Sequence, residues 1–445
     1  MQSTLCSASY PTSSYQQTTQ AHANKDLAVN LTYLKRTESA NSIMTEPTPQ
    51  PSNILTTETV PQYLAERADK IGVFAADAPL TAKVIAGGNV NYAFVVTHQE
   101  TKQTLFVKQA PEYVAIFGPD GLPLTSQRMQ REYNVYQDWI RVLGSELADR
   151  YLPKLYYLDD INMVFVMEFL DGYTLLDHDL VEKGVVPTAI ARGLADFMAR
   201  VHAATHSTKV SSEKVTEFTK EYENRAMRDI QLEFVFTKCY KEATDEQRAG
   251  LTVDDAFLAE IESLKAAYDG KKTENLCLTH GDLHPGSVMV NDDGAVKVID
   301  PEFTVYGPPA LDVGSLLSGY VLAAVHQAYA DNPKAVQAIR DAAHALWEAY
   351  KDGLQKAEMS DEMIRDTEVD TVGFTVAEVC RTALGFAGGR LWLQFEDADV
   401  KRAAMKAALD IVGKCMIGRH EGGINRLWTS LDELVANKVG LDPSS

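Results

Sequence analysis

The 445-residue chain carries five cysteines and no Cys-x-x-Cys pair. Cys6, Cys239, Cys277, Cys380 and Cys415 are odd in number and widely spaced. That argues against a disulfide framework or a thiolate zinc site, and reads as reduced thiols of an intracellular, cytoplasmic protein. Basic residues are also short: 42 Lys and Arg stand against 62 Asp and Glu, a formal net charge of −20. Such a balance argues against nucleic acid or an anionic membrane surface as a partner. No apolar run reaches the length of a bilayer span, and the most apolar stretch, 311–325, is broken by Asp312 and two glycines.

What remains is ordinary globular composition, 45% apolar and 23% charged, in a chain long enough for two or three lobes with cores of their own. Residues 1–53 are rich in Ser, Thr, Gln and Pro and lack both periodicity and a secretory apolar block, so a disordered extension is expected there. Only Lys25, Lys35 and Arg36 supply positive charge for a transit peptide, and Met44 offers an alternative start.

From residue 54 the pattern becomes globular. Residues 81–110 alternate in strand fashion around Gly87-Gly88 and a polar turn at 97–103, which predicts an antiparallel hairpin. Residues 126–143 place Met129, Tyr133, Tyr136 and Ile140 on one helical face. Two short strands are predicted within 151–172. The small lobe, 54–170, is therefore expected as a sheet with one helix. After Gly172 the spacing turns helical, beginning with the stripe Ile190, Leu194, Phe197 and Val201. Two strand-like pieces, 276–279 and 295–299, interrupt the helices. The expected fold is α+β and two-lobed, with a larger α-rich lobe over 171–436 and a short tail over 437–445.

The chemistry concentrates around CLTHGDLHPGSVMV (277–290) and NDDGAVKVIDPEF (291–303). Asp282 follows one short strand, and Asp300, 18 residues later, follows the next. Phosphoryl transfer asks for such a pair: one carboxylate to orient and deprotonate a hydroxyl, another to hold Mg²⁺ against nucleotide phosphates. Asp300-x-Glu302 sets two hard oxygen ligands on one side of an extended segment. Upstream, Lys108 ends a strand and Glu132 follows 24 residues on within the predicted helix, the pairing that positions the α- and β-phosphates in protein kinases. Gly87-Gly88-Asn89-Val90-Asn91 places backbone N–H groups at a strand junction, although glycine pairs mostly make turns. Met167, Glu168 and Phe169 end an apolar strand at the lobe boundary, where backbone can grip adenine. His280 and His284 stand at i and i+4 without a third metal-ligand side chain at suitable spacing. His280 reads as a loop organiser, and Asp312 as a brace for that loop.

HGDLHPGS and IDPEF, with VKQA upstream, resemble the protein-kinase-like small-molecule phosphotransferases, which include aminoglycoside phosphotransferases, choline kinases and methylthioribose kinases. The longer strings GGNVNYAFVV, FVKQAPEYV, VIDPEFTVYGPPALDVGSLLSGYVLA and CRTALGFAG resemble the S-methyl-5-thioribose kinases, over roughly residues 55–436. The resemblance implies ATP-dependent phosphorylation of the anomeric hydroxyl of methylthioribose to the 1-phosphate, in methionine salvage, by a homodimer. It implies Asp282 as catalytic base touching the sugar, and Asp300 and Glu302 as Mg²⁺ ligands. Asn91, Lys108 with Glu132, and the backbone of Met167, Glu168 and Phe169 would bind ATP, and Arg381 would bind the sugar. Two positions depart from these patterns: Ser287 stands where protein kinases have a metal-binding Asn, and Cys380-Arg381 where the family usually has two arginines. The alternatives are a kinase for another small alcohol, of the aminoglycoside or choline type, and a non-catalytic pseudokinase.

Overall fold

Period-two alternation decides the first lobe. The computed structural model describes residues 54–85, 90–184, 186–387 and 390–439; the stretch 1–53, the glycine pair Gly87-Gly88 with Asn89, and residues 440–445 of the tail lie outside the described residues. Strands β1 (Leu80–Val84), β2 (Tyr92–His98), β3 (Thr104–Gln109), β4 (Leu155–Asp159) and β5 (Val164–Glu168) form one antiparallel sheet in the order β1-β2-β3-β5-β4. The predicted hairpin and the predicted strand pair thus merge, because β3 pairs with β5, setting Lys108 opposite Phe165 and Phe106 opposite Met167.

Alternate residues of the two central strands face different cores, as pleating requires. Leu105, Val107, Val164 and Val166 pack beneath two short helices, α1 (Val60–Ala65) and α2 (Ala68–Ile71). Phe165 and Met167, with Phe106 against them, face the other way, into the main core. The short helices correct the expectation of a single helix in this lobe. Val60, Leu64 and Ile71 cover a sheet face that would otherwise stand in water, and four to six residues are too few to show a helical period.

The predicted helix is α3 (Arg128–Tyr151), broken near its end where Gly144 takes φ +74°. Its Met129 and Tyr136 are buried, and Tyr133 and Ile140 pack half-buried against the same core.

The larger lobe is built on α4 (Thr188–Thr205), α5 (Ala310–Tyr329), α6 (Pro333–Lys356), α7 (Asp361–Ala383), α8 (Ala398–Gly422) and α9 (Asn425–Val439). Helix α5 is buried on every side from Ala310 to Ala328, which explains its near-continuous apolar sequence. It packs against α6, α7 and α8, while α4 packs on α6. Short strands form two further sheets on this helical base. One pairs β7 (Cys277–Thr279) with β10 (Val305–Gly307); the other joins β6 (Thr174–Leu175), β8 (Val288–Val290) and β9 (Val296–Val298). Gly319 of α5 lies under Pro285, and a Cβ there would stand 2.3 Å from the proline ring. The helix therefore supports the 280–287 loop at van der Waals contact. Among the described residues no helix is long and apolar enough to cross a membrane.

Asp159 ties α1 and α2 to the sheet. Its Oδ2 accepts from the Tyr63 hydroxyl at 2.7 Å, Asn162 Nδ2 at 2.9 Å and Arg67 Nε at 3.2 Å. Burial would raise this carboxyl, but the Asn162 and Tyr63 hydrogen bonds and the Arg67 charge outweigh it and hold it at about 2. A depressed folded-state value stabilises the fold above the unfolded value of 3.8 and ceases to do so as pH falls towards 2. Asp159→Ala is expected to lower unfolding free energy by about 1–3 kcal/mol at neutral pH. In urea titrations the gap from the parent should close as pH falls from about 4 to about 2; a gap independent of pH would refute the assignment.

Candidate active site

Three polar residues of α3 stand one turn apart on the face towards the lobe junction: Arg128, Glu132 and Tyr136. Each engages a different segment. Arg128 is fully buried and donates from Nε to Asn91 Oδ1 at 3.0 Å, and from its other nitrogens to the carbonyls of Val90, Tyr113, Leu124 and Thr125. Glu132 Oε2 accepts from Lys108 Nζ at 2.7 Å. The Tyr136 hydroxyl accepts the Asp300 backbone N–H at 3.2 Å.

Lys108 arrives from β3 on the same face as Phe106, which turns its ammonium towards α3. It pairs with Asp300 as well as Glu132. Burial would lower the Lys108 ammonium, but the carboxylates of Asp300, Glu132 and Glu302 outweigh it and hold it well above the ordinary lysine value. Asp300 lies at φ +65°, a left-handed backbone uncommon for a residue with a side chain. Lys108, outweighing burial, holds its carboxyl below the ordinary range.

Glu302 is buried, accepts Asn91 Nδ2 at 2.8 Å and lies 3.9 Å from Arg128 Nε. The side-chain amide of Asn91 is thus engaged at both ends, by Glu302 and Arg128. Ligand oxygens of Glu132, Asp300 and Glu302 all lie within 4.8 Å of one another. Three carboxylates here face two cations, Lys108 and Arg128. Burial, with Asp300 and Glu302 adding to it, pushes Glu132 up to about 8, and Glu302 is also raised by burial. An all-oxygen set with surplus negative charge suits a small hard cation.

The loop after β7 carries Asp282. His280 N–H and Gly281 N–H donate to Asp312 at 2.7 and 3.0 Å, and His202 Nε2 approaches the same carboxylate at 3.2 Å. His280 Nε2 lies 2.9 Å from the Ile299 carbonyl, so it carries the proton, and Nδ1 accepts the Asp282 N–H at 3.3 Å. His280 therefore organises the loop through backbone, as expected, and Asp312 braces it. The strands preceding Asp282 and Asp300 belong to separate sheets, and this imidazole, stacked on Trp139, joins their ends. Gly281 has φ +88°, and a Cβ on it would stand 1.9 Å from the Phe303 carbonyl oxygen. Both the dihedral and the space demand glycine.

The Asp282 carbonyl accepts the Ser287 hydroxyl at 3.0 Å and the His284 N–H at 2.9 Å. Ser287 is thereby tied to the loop. His284 Nδ1 accepts Gly286 N–H at 2.9 Å, leaving Nε2 3.7 Å from the Asp282 carboxylate. Burial, then the Arg390 charge, lowers the His284 imidazole well below its ordinary value, so it is neutral. Among the described residues the Asp282 carboxylate accepts no hydrogen bond.

Arg381, at the end of α7, donates from Nη2 to Glu378 Oε2 at 2.7 Å, and Arg390 Nη1 lies 3.5 Å from that same oxygen. The Asp282 charge acts on both guanidinium groups. Met167, Glu168 and Phe169 lie where β5 leaves the sheet, with Met167 opposite Phe106; the Glu168 N–H is already engaged by the Lys154 carbonyl at 2.8 Å. The structure thus gathers Asn91, Lys108, Glu132, Asp300 and Glu302 into one network, and His280 ties the Asp282 loop, whose charge acts on Arg381, to the strand end before Asp300.

Sequence reasoning missed Arg128, Tyr136 as a backbone acceptor, Arg390, and Asn224, whose Nδ2 donates to the Glu302 and Thr304 carbonyls at 2.9 and 3.0 Å. The one available signal was the i, i+4, i+8 spacing of Arg128, Glu132 and Tyr136.

The phosphotransferase enzyme family matches residues 81–352. A methylthioribose kinase of Geobacillus thermodenitrificans is 30% identical over 369 residues, covering 80% of this chain and 91% of the relative. One from Escherichia coli O45:K1 is 32% identical over 289 residues, covering 63% of this chain and 67% of the relative. Among solved structures, a glucosamine kinase in complex with glucosamine, ADP and inorganic phosphate aligns with 80% of this chain and 86% of its own, at 16% identity and TM-score 0.48.

Replacing Asp312 with Ala would strand two buried backbone donors and His202 together. Asp312→Ala is expected to lower unfolding free energy by about 3–5 kcal/mol. Chemical denaturation checks this, and a change under about 1 kcal/mol would contradict the bracing role.

Proposed function

The chain belongs to the phosphotransferase enzyme family and, within it, to the methylthioribose kinases, and from that premise we propose that it transfers the γ-phosphoryl group of ATP to the anomeric hydroxyl of S-methyl-5-thioribose. The observation that carries the reading is the convergence of Lys108, Glu132, Asp300 and Glu302 from three separate stretches beside a loop that presents Asp282.

In the transfer, the sugar oxygen forms a bond to the γ-phosphorus, the bond to the β-phosphate bridging oxygen breaks, and the hydroxyl proton passes to the Asp282 carboxylate. That carboxylate is held by a braced loop and is one-fifth exposed, so it meets the substrate with its lone pairs free. Lys108, oriented by Glu132, places a fixed positive charge for the α- and β-phosphates. Asp300 and Glu302 would hold Mg²⁺, which when bound neutralises charge on the phosphate oxygens. The fit rests on the oxygen-only donor set and its surplus negative charge. Asn91 and Arg128 position Glu302. The backbone of Met167 and Phe169 is assigned to adenine, and Arg381 to the sugar. The homodimer implied by the sequence resemblance is part of this proposal and awaits a solution mass.

Asp282→Asn preserves the size of the side chain and removes the proton acceptor. Turnover of methylthioribose is expected to fall about 10²–10⁴-fold with ATP affinity retained; a near-parent rate would sink the assignment. Asp300→Asn should abolish turnover and weaken the Mg²⁺ dependence of ATP binding, read by calorimetry with and without the metal. Equal Mg²⁺ dependence in parent and variant would remove Asp300 from the metal site.

A further inference from the structure

Helix α7 turns its Cys380 into the protein interior. Cys380 is fully buried, and burial together with neighbouring Cys239 pushes its thiol well above the ordinary value. Position 380 thus packs into the helical core, and no donor reaches the substrate from there. Positive charge arrives instead from the connection between α7 and α8. Arg390 returns along that connection until Nη1 stands 3.5 Å from Glu378 Oε2, the oxygen already bonded to Arg381 at 2.7 Å.

Two guanidiniums on one carboxylate leave a surplus positive charge, in side chains only 13% and 16% exposed. Like charges at such depth are unfavourable unless acceptors face them. Burial and then the Arg381 charge accordingly lower the Arg390 guanidinium, while Glu378, Asp282 and Asp177 act in the opposite sense. Arg381 Nε is buried without a hydrogen-bond partner among the described residues. A buried guanidinium donor left unpaired is costly, so Arg381 is not fully satisfied by the protein alone.

We propose that Arg390 is the second substrate-binding arginine of this site, with Glu378 as the positioning residue that turns both guanidiniums towards the ring hydroxyls of the pentose held against Asp282. The inference rests on the kinase reading above. Arg390 lies nine residues beyond Arg381, so the pair is assembled by the return of a loop and not by adjacency in the chain. The planar fork of each arginine suits neighbouring hydroxyl oxygens, which a lysine meets only as a point charge.

The test varies methylthioribose and ATP separately for the parent, Arg390→Ala, Arg390→Lys and Glu378→Gln, all in the full chain. Arg390→Ala is expected to raise the sugar KM about 10- to 100-fold, with kcat and the ATP KM within about threefold of the parent. Arg390→Lys should recover only part of that loss. Glu378→Gln should raise the sugar KM with both arginines still present, whereas a purely structural role would move kcat, ATP KM and Tm together. If Arg390→Ala does not fold, the lysine variant carries the same comparison. A sugar KM within about twofold of the parent in a folded Arg390 variant overturns the inference and leaves the kinase reading intact. A parent protein that does not turn over methylthioribose overturns the kinase reading, and the inference with it.

Discussion

An ammonium group set among three carboxylates holds the junction of the lobes. Lys108 comes from the sheet, Glu132 from α3, and Asp300 and Glu302 from the segment after β9. A lysine buried to this depth is tolerable only with carboxylates against it, and each carboxylate is tolerable only with a cation. Remove one partner and the others are left uncompensated, so the register of β3 against α3 and the path of residues 300–302 are fixed together. The balance is incomplete within the protein itself: burial, with the neighbouring carboxylates adding to it, raises the carboxyls of Glu132 and Glu302. The charge that makes the site costly without a ligand is the charge that makes it receptive to a divalent cation.

Around that cluster the remaining constraints are geometric. Asp312, Gly281, Gly319 and Pro285 form a continuous support in which backbone donors meet a buried carboxylate and a helix comes into contact with a loop. None of these residues brings reactivity. Their effect is to remove alternatives for the position of Asp282, which suits phosphoryl transfer, where catalysis is mostly positioning and charge neutralisation.

Features governed by local rules were legible in the sequence. The Asn291-Asp292-Asp293-Gly294 turn gives the β8–β9 hairpin, with Gly294 at φ +77°. The stripe Ile190, Leu194, Phe197 and Val201 is buried on α4. The bridge from Lys108 to Glu132 was visible because a strand end and a helix face constrain each other over a short separation. Contacts that depend on how distant segments return were not legible. Asn224 reaches carbonyls 78 and 80 residues away, Arg128 threads between Asn91 and four carbonyls, and β7 and β9 join different sheets. The two helices over the outer sheet face escaped because each is shorter than two turns. Cys380-Arg381 looked like a missing charge because the chain alone does not show which way position 380 points or that Arg390 turns back.

The histidines flanking Asp282 divide their work by tautomer. His280 donates from Nε2 to the Ile299 carbonyl, tying the loop to the strand end that leads to Asp300, so the two aspartates share one mechanical link. His284 accepts from Gly286 at Nδ1 and turns its Nε2 proton towards Asp282 without reaching hydrogen-bond distance. Had His284 closed on Asp282, the carboxylate would have a competing donor where the sugar hydroxyl must sit. Had it been charged, a third cation would stand beside Arg381 and Arg390. Burial and the arginine charges prevent that protonation. The arginines that crowd the pocket therefore also keep His284 neutral, and the carboxylate stays free for a hydroxyl.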